Sequence, residues 1–224
     1  MNTIQLENTY QLPTYEKFPV VITHGKGAYV WSDKNDKYLD FYGGHAVVLT
    51  GHSHPKVIAA VSTQMKKLIF YSNVVYSKER AEAAQKLVTL AGKPFSSVFF
   101  CNSGTEANET ALKLANKYTG KDEVISFEGS FHGRTIGALS VCGGQKYKKH
   151  VGSLVPGVHF AQFGDIDSVK KLISQKIAAI ILEPIQSVAG INMASSDFYI
   201  QLTKLAKEKG VVLIFDEVQT GLGR

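Results

Sequence analysis

The sequence of 224 residues lacks the features that identify disulfide-rich, membrane and secreted proteins. It contains two cysteines, Cys101 and Cys142, which form neither a CxxC pair nor a zinc-ligand spacing. So few cysteines favour a reducing compartment over a disulfide scaffold. No apolar run approaches the roughly 18 residues of a membrane span, and the polar segment 1–12 does not resemble a signal peptide. These absences predict a cytoplasmic protein with no membrane association.

Several catalytic and nucleotide-binding patterns are also missing. The sequence has no GxGxxG, GxxxxGK[ST], HExxH or GxSxG, which are the signatures of dinucleotide-binding, P-loop, zincin and α/β-hydrolase proteins. The formal net charge is +6, but the basic residues are scattered and form only short pairs, such as Lys66 with Lys67. We interpret them as solvated helix faces rather than a nucleic-acid surface, and we predict no nucleic-acid partner.

What is present is typical of a folded protein with a large core. The chain is 44% hydrophobic and 20% charged, and from residue 97 onward short apolar segments alternate with amphipathic ones. The predicted strands are 97–101, 123–127, 177–182 and 211–215, and the predicted helices are 105–118, 165–175 and 196–209. This alternation predicts an α/β fold with a mostly parallel sheet flanked by helices. Ligands of such sheets bind beyond the carboxyl ends of the strands.

The segment before residue 97 has a different pattern. β-branched and aromatic residues in 20–31 precede a turn at 33–37 and a further extended stretch at 38–41, which predicts a hairpin. Apolar residues at helical spacing after His54 predict a helix, and a second helix is predicted from 77 to 90.

The first candidate site lies where the predicted strand 97–101 turns into a helix. Ser103, Gly104 and Thr105 begin this helix, whose first turn presents free N–H groups and the positive end of the helix dipole. Gly104 lets an anion approach closely, and the two hydroxyls can donate to it. The arrangement fits a phosphate. The alternative is that Ser103 or Thr105 only caps the helix.

Asp216 is the second candidate, since it directly follows the apolar run 211–215. A carboxylate emerging from such a dry neighbourhood needs a partner. A protonated ring nitrogen would be one, because the ion pair would make the ring an electron sink. The alternative is a structural aspartate bound to backbone N–H groups or to a lysine. Gln219 could reach an oxygen on the same ring, or it could be an ordinary loop residue.

Residues 131–134 follow the predicted strand 123–127 and so lie at the same edge of the sheet. Phe131 could stack on a ligand ring, and Arg134 could hold a substrate carboxylate with two hydrogen bonds. Their alternatives are a core aromatic and a surface arginine. His132 has no carboxylate or nucleophile beside it in the sequence, so we assign it no catalytic role. A phosphate, an aromatic ring and a protonated ring nitrogen are together the groups by which a protein would bind pyridoxal phosphate.

Five ordered motifs resemble those of the class III pyridoxal-phosphate aminotransferases. They lie at residues 43–55, 102–108, 131–135, 183–186 and 216–224. The resemblance extends from about Thr14 to the last residue, and within the family it is strongest to the acetylornithine aminotransferases. It implies a fold-type-I transferase with a small α+β domain, pyridoxal 5'-phosphate as the cofactor, and a homodimer.

The resemblance also implies a role for each of eight residues. The implied cofactor contacts are Ser103, Gly104 and Thr105 to the phosphate, Phe131 to the ring face, Asp216 to the ring nitrogen and Gln219 near the ring hydroxyl. Arg134 would hold the α-carboxylate of the substrate, and Glu183 would lie on the substrate side.

Two departures from the family pattern limit this transfer of roles. After residues 183–186 the family usually continues with glycine and glutamate, whereas this sequence has Ser187 and Val188, which affects the substrate contacts. The family's Schiff-base lysine follows the aspartate motif at some distance, and no lysine of this chain matches it. We therefore expect the catalytic lysine to lie beyond Arg224, the last residue of the chain.

This expectation has consequences for the organisation of the protein. We expect the chain to be the amino-terminal part of a longer enzyme, inactive alone. Residues 1–50 would belong to the small domain and 51–224 to a truncated large cofactor domain.

Three functional hypotheses remain. The first is amino transfer from an acetylornithine-like donor to a 2-oxo acid such as 2-oxoglutarate, in arginine biosynthesis. The second keeps the cofactor but changes the donor to ornithine, 4-aminobutyrate or another ω-amino compound. The third is a lysine-free module that binds the cofactor or a partner without catalysis.

Overall fold

The computed structural model describes residues 1–223, which fall into two compact units, residues 1–96 and residues 97 onward. The assignment of residues 1–50 to a small domain and 51–224 to a large domain stays a prediction. None of the described helices combines the length and the apolar character that a membrane crossing requires.

Arg224, which ends the fifth sequence motif, lies outside the described residues. The structure therefore does not test the expectation that the Schiff-base lysine lies beyond Arg224. That expectation stays a prediction, as does the inactivity of the chain alone.

The first unit contains a small antiparallel sheet and four helical segments. Its strands are β1 (Ile22–Lys26), β2 (Tyr29–Ser32) and β3 (Lys37–Leu39), in the order β1-β2-β3. Its helices are α1 (Thr3–Tyr10), α2 (Gly43–Ala46), α3 (Pro55–Met65) and α4 (Lys78–Ala91). The predicted hairpin and both predicted helices are confirmed with shifted bounds. A tight turn at Gly27, which has a φ of +57°, joins β1 to β2 and was not predicted from the sequence.

The second unit is built on a four-stranded parallel sheet. Its strands are β4 (Glu123–Phe127), β5 (Val158–Ala161), β6 (Ile177–Leu182) and β9 (Val212–Phe215), in the order β5-β4-β6-β9. Its helices are α5 (Gly104–Thr119), α6 (Ile136–Ser140), α7 (Ile166–Leu172) and α8 (Ser196–Lys209). The short strands β7 (Ile185–Gln186) and β8 (Asn192–Met193) form a separate antiparallel pair. The predicted parallel sheet flanked by helices is confirmed.

The core lies on both faces of this sheet because successive side chains of a strand point to opposite sides. Ile125 and Ile180 belong to a cluster that includes residues of α7 and α8. Their neighbours Val124 and Ile181 belong to a second cluster, with residues of α5. Every residue of β6 is buried. The sheet is therefore a rigid base for the loops that follow its strands.

Segment 97–101 differs from its prediction, since it was expected to be a strand and is irregular. A strand needs a neighbour that takes its backbone hydrogen bonds, and no ladder within residues 1–223 includes this segment. The side chains of Phe99 and Phe100 are 65% and 43% exposed. Apolar composition alone therefore did not produce a strand here.

Candidate functional site

The candidate site lies at the carboxyl ends of three neighbouring strands. Strand β4 leads into the loop 128–135, β6 is followed by Glu183, and β9 is followed by Asp216. Because the strands are parallel, their carboxyl ends meet at one edge of the sheet. The backbone N–H of Asp216 donates to the carbonyl of Leu182 at 2.8 Å, which aligns the ends of β6 and β9.

Asp216 is 7% exposed and is surrounded by hydrogen-bond donors. Its Oδ2 accepts from Nδ2 of Asn108 at 2.8 Å and pairs with Nδ1 of His132 at 2.8 Å. Its Oδ1 accepts from the backbone N–H of Val218 at 3.1 Å. A carboxylate can only accept, so Nδ1 of the histidine carries the shared proton. The buried aspartate thus has the partners that its burial requires.

His132 lies in the candidate site beside Asp216, although no catalytic role was assigned to it from the sequence. Its side chain is 0% exposed, and its Nε2 has no hydrogen-bond partner within residues 1–223. No carboxylate lies near His132 in the sequence, but Asp216 is 84 residues further along the chain. Its backbone N–H donates to the Sγ of Cys142 at 3.1 Å. Burial raises the pKa of that thiol.

Asn108 is a second residue of the site to which no role was assigned from the sequence. It lies on α5, is 4% exposed, and donates from Nδ2 to the carbonyl of His132 at 2.7 Å as well as to Asp216. A polar residue on the buried face of an amphipathic helix is the sequence signal that could have found it, because such a group needs partners.

The phosphate-binding candidates lie at the beginning of α5. The Oγ of Ser103 accepts from the backbone N–H of Glu106 at 3.2 Å, so it caps the helix as the alternative interpretation expected. This cap leaves the dipole and the other N–H groups of the first turn available to an anion. A Cβ on Gly104 would lie 2.7 Å from the Cγ2 of Val218. A larger residue at position 104 would therefore require the side chain of Val218 to shift.

The loop carrying Phe131 and Arg134 is attached to α5. The backbone N–H of Arg134, whose side chain is exposed, donates to the Oγ1 of Thr105 at 3.1 Å. Gly133, which directly precedes Arg134, has a φ of +141°, and a Cβ on it would collide with the Oγ1 of Thr105. Phe131 is half-buried and meets the ring of Tyr147 edge to face, with centroids 5.1 Å apart. The two motifs thus hold each other in place.

Glu183 joins the same network as a buried carboxyl, 6% exposed. Its Oε1 accepts from the backbone N–H of Phe131 at 2.9 Å and its Oε2 from that of Ser187 at 3.4 Å. Burial raises the pKa of this carboxyl, and the hydrogen bond from Phe131 opposes the rise. The two carboxyl oxygens of Glu183 therefore connect the loop of Phe131 to the turn at Ser187.

The structure brings together most of the residues that the sequence predicted. Hydrogen bonds connect Thr105 with Arg134 and Glu183 with Phe131, and Asp216 lies beside Glu183 at the ends of adjacent strands. Gln219 follows in the turn after Asp216 and is partly buried. Its side chain makes none of the hydrogen bonds described within residues 1–223.

Comparison with known proteins finds a matching family and similar sequences. The sequence model of the family "Aminotransferase class-III" matches residues 10–224. An acetylornithine aminotransferase of Methanopyrus kandleri is 44% identical over 224 residues, covering 100% of this chain and 58% of that protein. A mitochondrial acetylornithine aminotransferase of Debaryomyces hansenii is 47% identical over 235 residues, covering 100% of this chain and 50% of that protein.

Solved structures show the same fold. The ornithine aminotransferase of Toxoplasma gondii, described with pyridoxal phosphate partially occupying its active site, has a TM-score of 0.93 and 30% identity over 98% of this chain and 53% of its own. The N-acetylornithine aminotransferase of Stenotrophomonas maltophilia K279a has a TM-score of 0.83 and 32% identity over 99% of this chain and 55% of its own.

The chain spans 50–58% of the length of the first curated relatives it matches. The family match covers far more than half of this chain, and the fold agrees with that of solved members. The chain therefore belongs to the class III aminotransferases, a family that uses pyridoxal phosphate.

Proposed function

We propose that this protein is a pyridoxal-phosphate-dependent aminotransferase that moves the amino group of an acetylornithine-like donor to a 2-oxo acid such as 2-oxoglutarate, in arginine biosynthesis. The observation that carries the proposal is the buried Asp216 at the end of β9, at the edge of the sheet where the loop of Phe131 also lies. The names of the relatives at 42–47% identity support the choice of donor.

The residues present fit this cofactor in charge and in chemistry. The beginning of α5 suits a phosphate dianion, because the helix dipole and unpaired N–H groups favour negative charge there. Asp216 suits a protonated ring nitrogen, since it is a buried carboxylate that retains capacity to accept one more hydrogen bond. When bound, pyridoxal phosphate supplies the electron sink that stabilises a substrate carbanion.

Each residue of the chain would then have a defined task. Ser103, Gly104 and Thr105 would bind the phosphate, Asp216 would hold the proton at the ring nitrogen, and Phe131 would cover one face of the ring. Gln219 would lie near the ring hydroxyl. These assignments are supported by motif matching and by the position of the residues at one edge of the sheet.

On the substrate side, we propose that Arg134 holds the α-carboxylate with two parallel hydrogen bonds. Glu183 would contribute to the same side, and its bond to the N–H of Phe131 supports an indirect contribution through the position of that loop. The same residues would serve both half-reactions, because amino donor and 2-oxo acid both carry an α-carboxylate.

Further properties belong to the proposal as well. A homodimer is proposed by analogy with the family. A cytoplasmic location is proposed from the composition, although relatives from Debaryomyces hansenii and Dictyostelium discoideum are named as mitochondrial.

A different donor is the second candidate function. The ornithine aminotransferase of Toxoplasma gondii shares the fold with a TM-score of 0.93. Residues 187–190 also differ from the glycine- and glutamate-containing run that usually follows the family's equivalent of residues 183–186. These differences favour a test of several donors rather than one.

The experiment compares donors with the full-length protein. Purified holoenzyme is supplied with 2-oxoglutarate and, separately, N-acetylornithine, ornithine or 4-aminobutyrate, and glutamate formation is measured. We expect the highest kcat/KM with N-acetylornithine. A higher value with ornithine or 4-aminobutyrate would favour the second candidate. Binding of the cofactor without turnover of any donor would contradict both and support a non-catalytic binding module.

A further inference from the structure

We propose that Asn108 and His132 are positioning residues that hold Asp216 by one carboxylate oxygen, Oδ2, and leave Oδ1 to meet the ring nitrogen of the cofactor. This inference rests on the proposed function and adds two residues and an atomic assignment to it. Neither residue was among the eight that motif matching selected.

The assignment follows from counting acceptor sites on the carboxylate. Each oxygen has two lone pairs that accept hydrogen bonds. Both sites on Oδ2 are used, by Nδ2 of Asn108 and Nδ1 of His132, each at 2.8 Å. On Oδ1 one site is used, by the backbone N–H of Val218 at 3.1 Å. The remaining site for an incoming N–H donor is therefore on Oδ1.

The imidazole of His132 is fully buried and makes one hydrogen bond within residues 1–223. Its ring is 0% exposed, and Asp216 is its only hydrogen-bond partner within residues 1–223, because Nε2 is unpaired there. Its backbone is fixed at both ends, by its N–H to the Sγ of Cys142 and by its carbonyl to Asn108. A histidine held in this way can orient the carboxylate, and its ring makes no other hydrogen bond within residues 1–223.

Asn108 connects this clamp to the phosphate-binding end of α5. It lies four residues after Gly104, about 6 Å along the helix axis at 1.5 Å per residue. Its single NH₂ group donates to the carbonyl of His132 at 2.7 Å and to Asp216 at 2.8 Å. One rigid helix therefore sets the distance between the anchor for the phosphate and the anchor for the ring nitrogen.

The test uses the full-length protein loaded with pyridoxal phosphate that carries ¹⁵N in the ring. The ¹⁵N chemical shift reports whether the ring nitrogen is protonated, and calorimetry gives the affinities of the apoprotein for the cofactor and for inorganic phosphate. The variants are Asn108→Ala, His132→Leu and His132→Asn, whose amide nitrogen replaces Nδ1. Asn116→Ala is the matched control, because Asn116 is also an asparagine of α5 and is half-buried.

We expect Asn108→Ala and His132→Leu to move the ¹⁵N shift toward the unprotonated form. Each should weaken cofactor affinity about tenfold, the equivalent of one charge-assisted hydrogen bond. Affinity for inorganic phosphate should stay unchanged. His132→Asn should restore the shift, and Asn116→Ala should leave both measurements as they are.

Other outcomes overturn the inference. If Asp216→Ala changes the ¹⁵N shift and neither Asn108→Ala nor His132→Leu does, the positioning role is wrong while the proposed function stands. If Asp216→Ala leaves the shift unchanged, the cofactor assignment itself fails. Should Asn108→Ala not fold, the comparison of His132→Leu with His132→Asn decides alone, and equal shifts in the two would reject the clamp.

Discussion

At the scale of single residues, the site is a set of buried polar groups that satisfy one another. Asp216 and Glu183 end adjacent parallel strands, and each receives donors from loops that are distant in sequence. Removing any member leaves partners buried and unpaired, which costs roughly 1–3 kcal/mol for each group. Substitutions here therefore change stability as well as chemistry, and the two effects must be measured separately.

We predict that Asp216→Ala in the full-length enzyme lowers kcat by roughly a hundredfold or more, as loss of a preorganised charge does in other enzymes. The reason is that the carboxylate is needed to keep the ring nitrogen protonated. Urea unfolding should show a folded protein that is moderately less stable, because two side-chain donors lose their acceptor. Turnover close to that of the wild type would remove Asp216 from the cofactor site.

For substrate binding, we predict that Arg134→Lys raises KM about tenfold for both the amino donor and the 2-oxo acid. An ammonium group cannot form the two parallel hydrogen bonds of a guanidinium, and both substrates use the same position. Steady-state kinetics with each substrate varied in turn gives the two values. Unchanged KM for both would place Arg134 outside the binding site.

The buried carboxyl of Glu183 predicts a pH dependence of stability. Burial raises its pKa above the ordinary value of 4.5 in the folded state, so above that value the folded protein binds more protons than the unfolded chain. Stability from this residue is complete below pH 4.5 and is lost as pH rises through the folded pKa. The unfolding free energy of the wild type minus that of Glu183→Gln should therefore fall as pH rises from 4.5. A difference that grows with pH would contradict this.

At the scale of elements, α5 and α8 offer a matched pair of helix caps. Ser103 accepts from the N–H of Glu106 at 3.2 Å, and Ser195 accepts from that of Phe198 at 3.2 Å. Replacing either serine by alanine should cost about 1 kcal/mol of stability. We assign the phosphate to the beginning of α5 and not to that of α8, so only Ser103→Ala should also weaken the affinity for pyridoxal phosphate. Equal affinities of the two variants for pyridoxal phosphate would show that Ser103 does not bind the phosphate.

At the scale of the whole molecule, the first unit exposes many large apolar side chains. Phe18 and Phe41 are 92% and 94% exposed, and Val74 is 85% exposed. Within residues 1–223 the second unit also has a strand with one unpaired edge, β9, which ends its sheet. Exposed apolar surface and open sheet edges promote association.

We therefore predict that the 224-residue chain expressed alone is poorly soluble and self-associates. Sedimentation over a range of concentrations would measure this. Any soluble fraction should lose its cofactor on dialysis and show no transamination, because no lysine of this chain matches the family's Schiff-base lysine by motif. Borohydride reduction and peptide mapping test that point. Stoichiometric labelling of one lysine within the chain, together with turnover, would contradict this prediction.

Local patterns in the sequence were enough to predict most elements of the fold. Strands 123–127 and 177–182 and helix 196–209 have the predicted bounds, because hydrophobic periodicity and capping residues act over a few neighbours. The prediction was wrong for segment 97–101, since a strand also depends on a partner that composition does not reveal.

In the candidate site, likewise, local sequence patterns predicted some residues and left others unpredicted. Ordered motifs located Ser103 to Thr105, Phe131 and Asp216, since each lies in a recognisable local pattern. The partners of Asp216 could not be found like this, because His132 and Asn108 lie 84 and 108 residues from it. Which buried donor meets which buried carboxylate depends on how parallel strands bring their ends together. Local sequence patterns were therefore enough for most elements and for the types of residue at their ends. The hydrogen bonds between those residues depend on tertiary packing, because their partners are far apart in the chain.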